Sequence, residues 1–364
     1  MSASLPVFPW DTLAEAAATA RAHPDGIVDL SVGTPVDPVA PVVRAALADA
    51  SAVPGYPMTA GTPRLRASAV AALHRRYGVT GLAEDAVLPV IGSKELIAWL
   101  PTLLGVGADD SVVIPELAYP TYEVGARLAG AQVIAADSLT QLGPRSPAVI
   151  YLNSPGNPTG RVLGADHLRK VVEWARERGT LVVSDECYLG LGWQARPHSV
   201  LHPDVSGGDH SGLLAVHSLS KSSSLAGYRA GFVAGDAAVV AELLAVRKHA
   251  GMMVPGPVQA AMTAALDDDE HEAAQRDRYR RRRDILMAAF RSAGFTVEHS
   301  EAGLYLWATR GEPCRETVDW LARRGILVAP GDFYGSSGAR HVRVAITATD
   351  DRVQAAAARL AGCA

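Results

Sequence analysis

From about Val87 to Val233, short runs of Val, Ile and Leu alternate with longer Ala-, Arg- and Glu-containing segments of helical period. Continuous apolar runs bounded by turn residues mark strands buried on both faces, and apolar positions recurring every three or four residues mark amphipathic helices. Strands are therefore predicted near 87–91, 111–114, 131–135, 148–152, 180–184, 213–217 and 230–234. Helices are predicted near 93–104, 119–129, 165–178 and 236–248. This alternation predicts an α/β fold with a mainly parallel sheet, because parallel neighbours need a crossover between them.

Beyond the turn Pro255–Pro257 the character changes. A long charged helical stretch leads into two strand-like segments, GLYLWAT and HVRVAI. The expected division is an N-terminal arm with part of a small domain (1–40), a large domain (41–255) and a small α+β domain (256–364). The basic run Arg278–Arg283 follows the acidic DDDEHE and keeps a helical pattern, so it reads as a solvated helix face and not as a nucleic-acid patch.

The chain of 364 residues is 48% hydrophobic and 20% charged, enough for a sizeable core and more than one compact unit. Its formal charge of -4 gives no electrostatic case for nucleic acid or an anionic membrane, so a small-molecule partner is expected. Cys187, Cys314 and Cys363 are too few and too widely spaced for a disulfide framework or a zinc site, and no metal site is expected. The N-terminus lacks an export pattern and the longest apolar stretch is interrupted by Pro101, so the expected location is the cytoplasm.

In open α/β sheets ligands bind beyond the carboxyl ends of the strands, and five predicted strands end in polar residues or glycine. Gly92 and Ser93 open a helix whose amides and dipole suit a phosphate; a plain turn is the simpler reading of that pair alone. Tyr119 and Tyr122 lie in AYPTY, where an aromatic face can stack on a planar ring or belong to the core. The turn NSPGNPTG, 153–160, offers the Asn157 amide. After the next strand come Asp185, Glu186 and Tyr188: a carboxylate there has a reason to exist if it meets a cation, such as the pyridinium of pyridoxal phosphate (PLP), while Glu186 reads as solvated or capping. Lys221 lies at the rim between two apolar strands, where desolvation makes its amine nucleophilic, with Ser218 and Arg229 suited to a phosphate. Arg343 in HVRVAI suits a carboxylate, or a structural ion pair.

NSPGNPTG, SDECY and SLSKSSSLAGYRAG, in this order, resemble the class I and II aminotransferases of PLP fold type I over nearly the whole chain. The resemblance implies a large domain with a seven-stranded, mostly parallel sheet in a three-layer αβα sandwich, a small α+β domain and PLP as cofactor. It implies that Lys221 carries the cofactor as a Schiff base and acts as base and acid, that Ser218 and Arg229 hold phosphate, and that Asp185 pairs with the ring nitrogen. It assigns Tyr188 and Asn157 to the ring hydroxyl, Tyr119 to ring stacking, and Arg343, Asn157 and Gly33 to substrate; Gly92, Ser93 and Lys94 are expected at the cofactor's phosphate end, although Lys94 departs from the small or hydroxyl residue common at that position in aspartate-type relatives. Tyr56 is implied to reach the cofactor of a neighbouring subunit, hence a homodimer with shared sites.

The segment IGSKELIAWLPTLL and the chain length are similar to actinobacterial N-succinyldiaminopimelate aminotransferases, enzymes of lysine biosynthesis with glutamate as donor. Lys94 is then a candidate contact for an extra substrate carboxylate, with a phosphate contact or an exposed helix-start lysine as alternatives. An aspartate, alanine or aromatic aminotransferase or a carbon–sulfur lyase shares the same cofactor residues, and a PLP-binding regulatory module is the alternative of another class.

Overall fold

The computed structural model describes residues 5–361, so Cys363 lies outside the described residues. Its strands in chain order are β1 Val28–Asp29, β2 Val87–Val90, β3 Ser111–Ile114, β4 Gln132–Ala135, β5 Val149–Asn153, β6 Leu181–Asp185, β7 Leu213–Ser218 and β8 Gly231–Gly235. They continue with β9 Thr296–Glu298, β10 Tyr305–Thr309, β11 Ile326–Leu327, β12 Ala329–Pro330 and β13 Val342–Ala345. The seven strands from β2 to β8 form one sheet in the order β2-β8-β7-β6-β5-β3-β4. Only β8 runs against its neighbours; the rest are parallel.

Successive side chains of these strands enter opposite layers, which is why their sequences read as continuous apolar runs. Val182, Leu213 and Ala215 pack in one helix layer with Leu168 and Val171; Val183, Leu214 and Val216 pack in the other with Leu96 and Ile97. The helices follow the same logic. Ala165–Arg176 buries Leu168, Val171, Val172 and Ala175, one face at helical spacing. Asp236 caps Ala237–Ala250 by accepting from the Ala238 and Val239 amides, and Gly251 ends that helix in the left-handed region. The result is a three-layer αβα sandwich.

A four-stranded antiparallel sheet, β12-β13-β10-β9, and the two-stranded parallel pair β1-β11 form the second unit. Its core draws Leu13 and Ala17 from the N-terminal segment together with Phe290, Trp307 and Val344. Helix Gly256–Asp267, after the proline turn, packs on helices Pro41–Asp49 and Pro63–Tyr77 of the large unit. No helix among the described residues is long and apolar enough to cross a membrane.

The basic run is not a solvated face throughout. Arg280 and Arg281 are exposed, but Tyr279, Arg282 and Arg283 are buried. Arg282 grips Asp37 through two hydrogen bonds of 2.7 Å and donates to Asp350 at 2.6 Å, tying the N-terminal segment to the long helix Asp269–Ser292. The pattern of charges hid this because the partners lie far away in sequence.

Burial pushes the Asp37 carboxyl up, but the hydrogen bonds from Arg282 and Gln275 outweigh it and leave it below its ordinary value. A carboxyl depressed by folding stabilises the native state above its unfolded value and loses that contribution as pH falls. Asp37→Ala should therefore cost about 3 kcal/mol in urea unfolding at neutral pH, the lower end for breaking a buried pair, because Asp350 remains on Arg282. The gap to wild type should narrow below about pH 4; an equal gap at pH 3 and pH 7 would show that the pair is not its source.

Candidate active site

A cavity of about 440 Å³ opens at the carboxyl ends of β5, β6 and β7, between the large sheet and the second unit. It brings together Gly33, Ser93, Lys94, Tyr119, Asn157, Asp185, Tyr188, Ser218, Lys221, Arg229 and Arg343. These residues come from seven separate stretches of chain, and the parallel sheet gathers most of them at one edge.

At the floor lies Asp185, the last residue of β6. Its Oδ2 accepts from the Tyr122 hydroxyl at 2.7 Å and its Oδ1 from the Cys187 amide at 3.2 Å, and no cation pairs with it among the described residues. Burial pushes this carboxyl up, an effect that those donors offset only in part. A protonated ring nitrogen is the kind of partner such a group lacks. Tyr122 is held in turn by stacking on Tyr151, with centroids 4.9 Å apart, and Tyr119 stands edge-on to Tyr122 at 6.0 Å. Burial raises the Tyr119 phenol to about 12, so it stays a neutral aromatic wall.

Lys221 follows β7 in the one-turn helix Leu219–Ser222. Its amine donates to the Gly33 carbonyl, and burial pushes its pKa down, helped by the nearby Arg343 and Arg229. A Cβ on Gly33 would meet the Tyr305 ring, so a larger residue there would have to displace that ring from over the lysine. The Tyr305 hydroxyl lies 3.2 Å from that of Tyr188.

One end of the cavity is built for an anion. Ser218 accepts from the Ser220 amide, which leaves its O–H free to donate. Arg229 is fixed with a positive φ of 58°. Gly92, at φ 99°, has a Cβ position already filled by the Arg229 guanidinium, which is thereby pressed against the start of helix Ser93–Leu103. Lys94 sits on the same side, its ammonium 5.5 Å from the Phe8 ring centre; burial and then the Arg229 charge lower its pKa. Glycine, a helix N-terminus, Ser and Arg together fit a phosphate.

At the opposite end Arg343 is buried on β13. It donates to Asn157 Oδ1 at 2.9 Å and to the Ser31 carbonyl at 2.7 Å, with Tyr305 stacked 4.0 Å from the guanidinium. Its Nε has no partner, which leaves donor capacity for a carboxylate. The Asn157 amide nitrogen has no protein partner among the described residues, and the Asn157 backbone is anchored to Asn153 Oδ1 at 2.7 Å.

Tyr56 is not in this cavity: it is 97% exposed and borders a separate apolar hollow with Val53 and Met58. Glu186 is neither solvated nor a helix cap. It is fully buried, accepts from the Val200 amide at 2.7 Å and lies 3.4 Å from His217, with burial raising the carboxyl to about 7 and lowering the imidazole to about 3. Strand alternation explains this, since Glu186 follows Asp185 and points into the opposite layer. Tyr122, one helical turn from Tyr119, carries no sequence mark of its pairing with Asp185. Tyr305, on the strand that also holds Trp307, and the arm residues Phe8 and Trp10 are likewise unmarked by any periodicity.

The family model described as "Aminotransferase class I and II" matches residues 25–360. A probable aminotransferase of Mycobacterium tuberculosis is 78% identical, with 99% of this chain and 86% of that protein covered. The 4-dedimethylamino-4-oxo-anhydrotetracycline transaminase OxyQ of Streptomyces rimosus is 59% identical, with 98% and 99% covered. The solved N-succinyldiaminopimelate aminotransferase of Mycobacterium tuberculosis superposes with a TM-score of 0.85 at 27% identity, with 97% of each chain covered. With a sheet, a buried carboxylate and a desolvated lysine arranged as above, and a family match spanning almost its whole length, this chain belongs to the class I and II aminotransferases, which depend on pyridoxal phosphate.

Proposed function

We propose that this aminotransferase moves an amino group between glutamate and N-succinyl-2-amino-6-oxopimelate, forming N-succinyl-LL-2,6-diaminopimelate and 2-oxoglutarate. The observation that carries the substrate reading is Lys94, a half-buried cation at the cavity mouth in addition to the Arg229 and Arg343 guanidiniums. A substrate with several carboxylates needs a cation beyond the one that grips its α-carboxylate. The fold shared with the solved N-succinyldiaminopimelate aminotransferase supports the same reading.

Bound pyridoxal phosphate supplies an aldehyde that condenses with amines and a protonated ring that withdraws electrons from the substrate α-carbon. Ser218, Arg229 and the amides after Gly92 hold the phosphate in this scheme. Asp185, oriented by Tyr122, keeps the ring nitrogen protonated. Tyr119 would lie against the ring, and Asn157 and Tyr188 would donate to its hydroxyl. Lys221, whose amine burial pushes towards its neutral form, would take the α-proton as a base and deliver it as an acid to the cofactor C4' carbon. Arg343 would hold the α-carboxylate and so orient the substrate for proton transfer. Gly33 and the arm residues exclude water above it.

A second acceptor class, a bulky aromatic or polycyclic ketone, is favoured by the aromatic shelf of Phe8 and Trp10 along the cavity and by the relative named for a tetracycline intermediate. We also assign a homodimer, in which Tyr56 of each copy donates to the phosphate in its neighbour's site; the support is an exposed tyrosine within an apolar hollow.

Incubation of the PLP-loaded protein with glutamate and a panel of keto acids should aminate N-succinyl-2-amino-6-oxopimelate fastest by mass spectrometry. Preferential amination of pyruvate, oxaloacetate or an aromatic ketone would overturn the substrate assignment. Lys94→Ala should raise KM for the succinylated substrate more than for glutamate; equal effects on the two would assign Lys94 to the phosphate.

Tyr56→Phe should weaken cofactor binding by about 1 to 2 kcal/mol, the scale of a hydrogen bond to a charged group, without changing the sedimentation of the dimer. A fully active monomer would refute the shared site.

A further inference from the structure

A second cavity, of about 210 Å³, lies at the carboxyl ends of β3 and β5 on the opposite helix layer from Tyr122. Its floor is apolar, with Val113, Ile150 and Leu152 from the sheet and Leu139, Leu142 and Val171 from the covering segments. It exceeds the roughly 150 Å³ apolar cavity that takes up benzene. At the rim stand Arg161, His167, His299 and Asp137. The Arg161 guanidinium makes no hydrogen bond or ion pair among the described residues. Burial, then the charges of Arg161 and Lys170, lower the pKa of the His167 imidazole against the opposing effect of Asp137. Asp137 spends one oxygen on the Glu116 amide at 2.9 Å and keeps the other unpartnered on the rim.

The place of the cavity matters as much as its lining. His299 comes from the second unit, whose backbone clasps the 156–162 loop: Ser300 N donates to Thr159 O at 2.9 Å and Ala302 N to Gly160 O at 3.0 Å. His299 and Ser300 both hold positive φ, 50° and 56°, in that clasp. The loop it holds carries Asn157, which orients Arg343, and Asn153 borders both cavities. Ligand sites favour such seams between units, with an apolar floor and a few convergent polar groups.

We propose that this cavity is a second ligand site, for a small monocarboxylate with an apolar body the size of an aromatic ring, and that its occupation slows turnover through the shared 153–161 loop. Arg161 and the His167 ring receive the carboxylate while the body lies on the Leu139, Leu142 and Val171 floor. Asp137 repels a second negative end, which separates this ligand from the dicarboxylates that suit the active site.

The test uses the PLP-loaded enzyme with saturating 2-oxoglutarate, which occupies the Arg343 end without turnover, and 3-phenylpropionate as probe. Calorimetry should give one site per chain with a dissociation constant on the order of 1 mM or below. Arg161→Ala, an exposed substitution, should weaken it about tenfold or more, and Leu139→Trp should abolish it by filling the floor. Neutral 3-phenylpropanol should not bind, and in turnover assays 3-phenylpropionate should lower kcat at constant KM for the keto acid. No binding to wild type, binding unchanged by Arg161→Ala, equal binding of the alcohol, or purely competitive inhibition would each overturn the proposal. Binding and its loss in Arg161→Ala are read without catalysis, so they stand apart from the substrate assignment.

Discussion

Asp185 is a carboxyl group taken out of water, held by the Tyr122 hydroxyl and by Cys187, with no cation among the described residues. Burying a charge in this way is unfavourable until something positive faces it, and the site is arranged so that only a ligand can do so. That one constraint orders its neighbours. Tyr151 stacks on Tyr122, Tyr122 points its hydroxyl at Asp185, and Asn153 donates to the Asp185 carbonyl at 2.9 Å and holds the Asn157 backbone. Preorganised groups of this kind do not have to reorient when charge develops on the reacting atoms.

Lys221 is the complementary case. Its amine is buried where desolvation, with two guanidiniums nearby, pushes its pKa below the ordinary value, and it faces the cavity that Asp185 floors. The large sheet alone does not create this environment. Gly33 from the N-terminal segment, Tyr305 from β10 and Arg343 from β13 close over the lysine, and Arg282 locks the N-terminal segment to the long helix through Asp37. The chemistry therefore depends on how the two units are held together, as does the proposed ligand site in the same seam.

Much of this was legible from residues. Buried parallel strands read as unbroken apolar runs, and each of the seven lies within one residue of its predicted bounds because both faces demand the same chemistry. Ser218, Lys221 and Arg229 lie in one short segment between the end of β7 and the start of β8, and the fold brings all three to the same cavity. What escaped were relations across the fold. Glu186 looked like another polar residue at a strand end, yet alternation turns it away from the cavity into a buried contact with His217. Arg282 looked like one cation in a solvated run because Asp37 is distant in sequence. The arm residues Phe8 and Trp10 carry no period, so nothing in the sequence placed them on the cavity wall.

Asp185, held by Tyr122, is expected to keep the nitrogen of the bound cofactor ring protonated. The direct measurement is the nitrogen chemical shift of ring-labelled pyridoxal phosphate bound to wild type and to Asp185→Asn, followed across neutral pH. Wild type should keep the protonated shift throughout the range in which the protein is folded, and the variant should give the deprotonated shift. A deprotonated ring nitrogen in wild type near neutral pH, or the same shift in both proteins, would contradict the account.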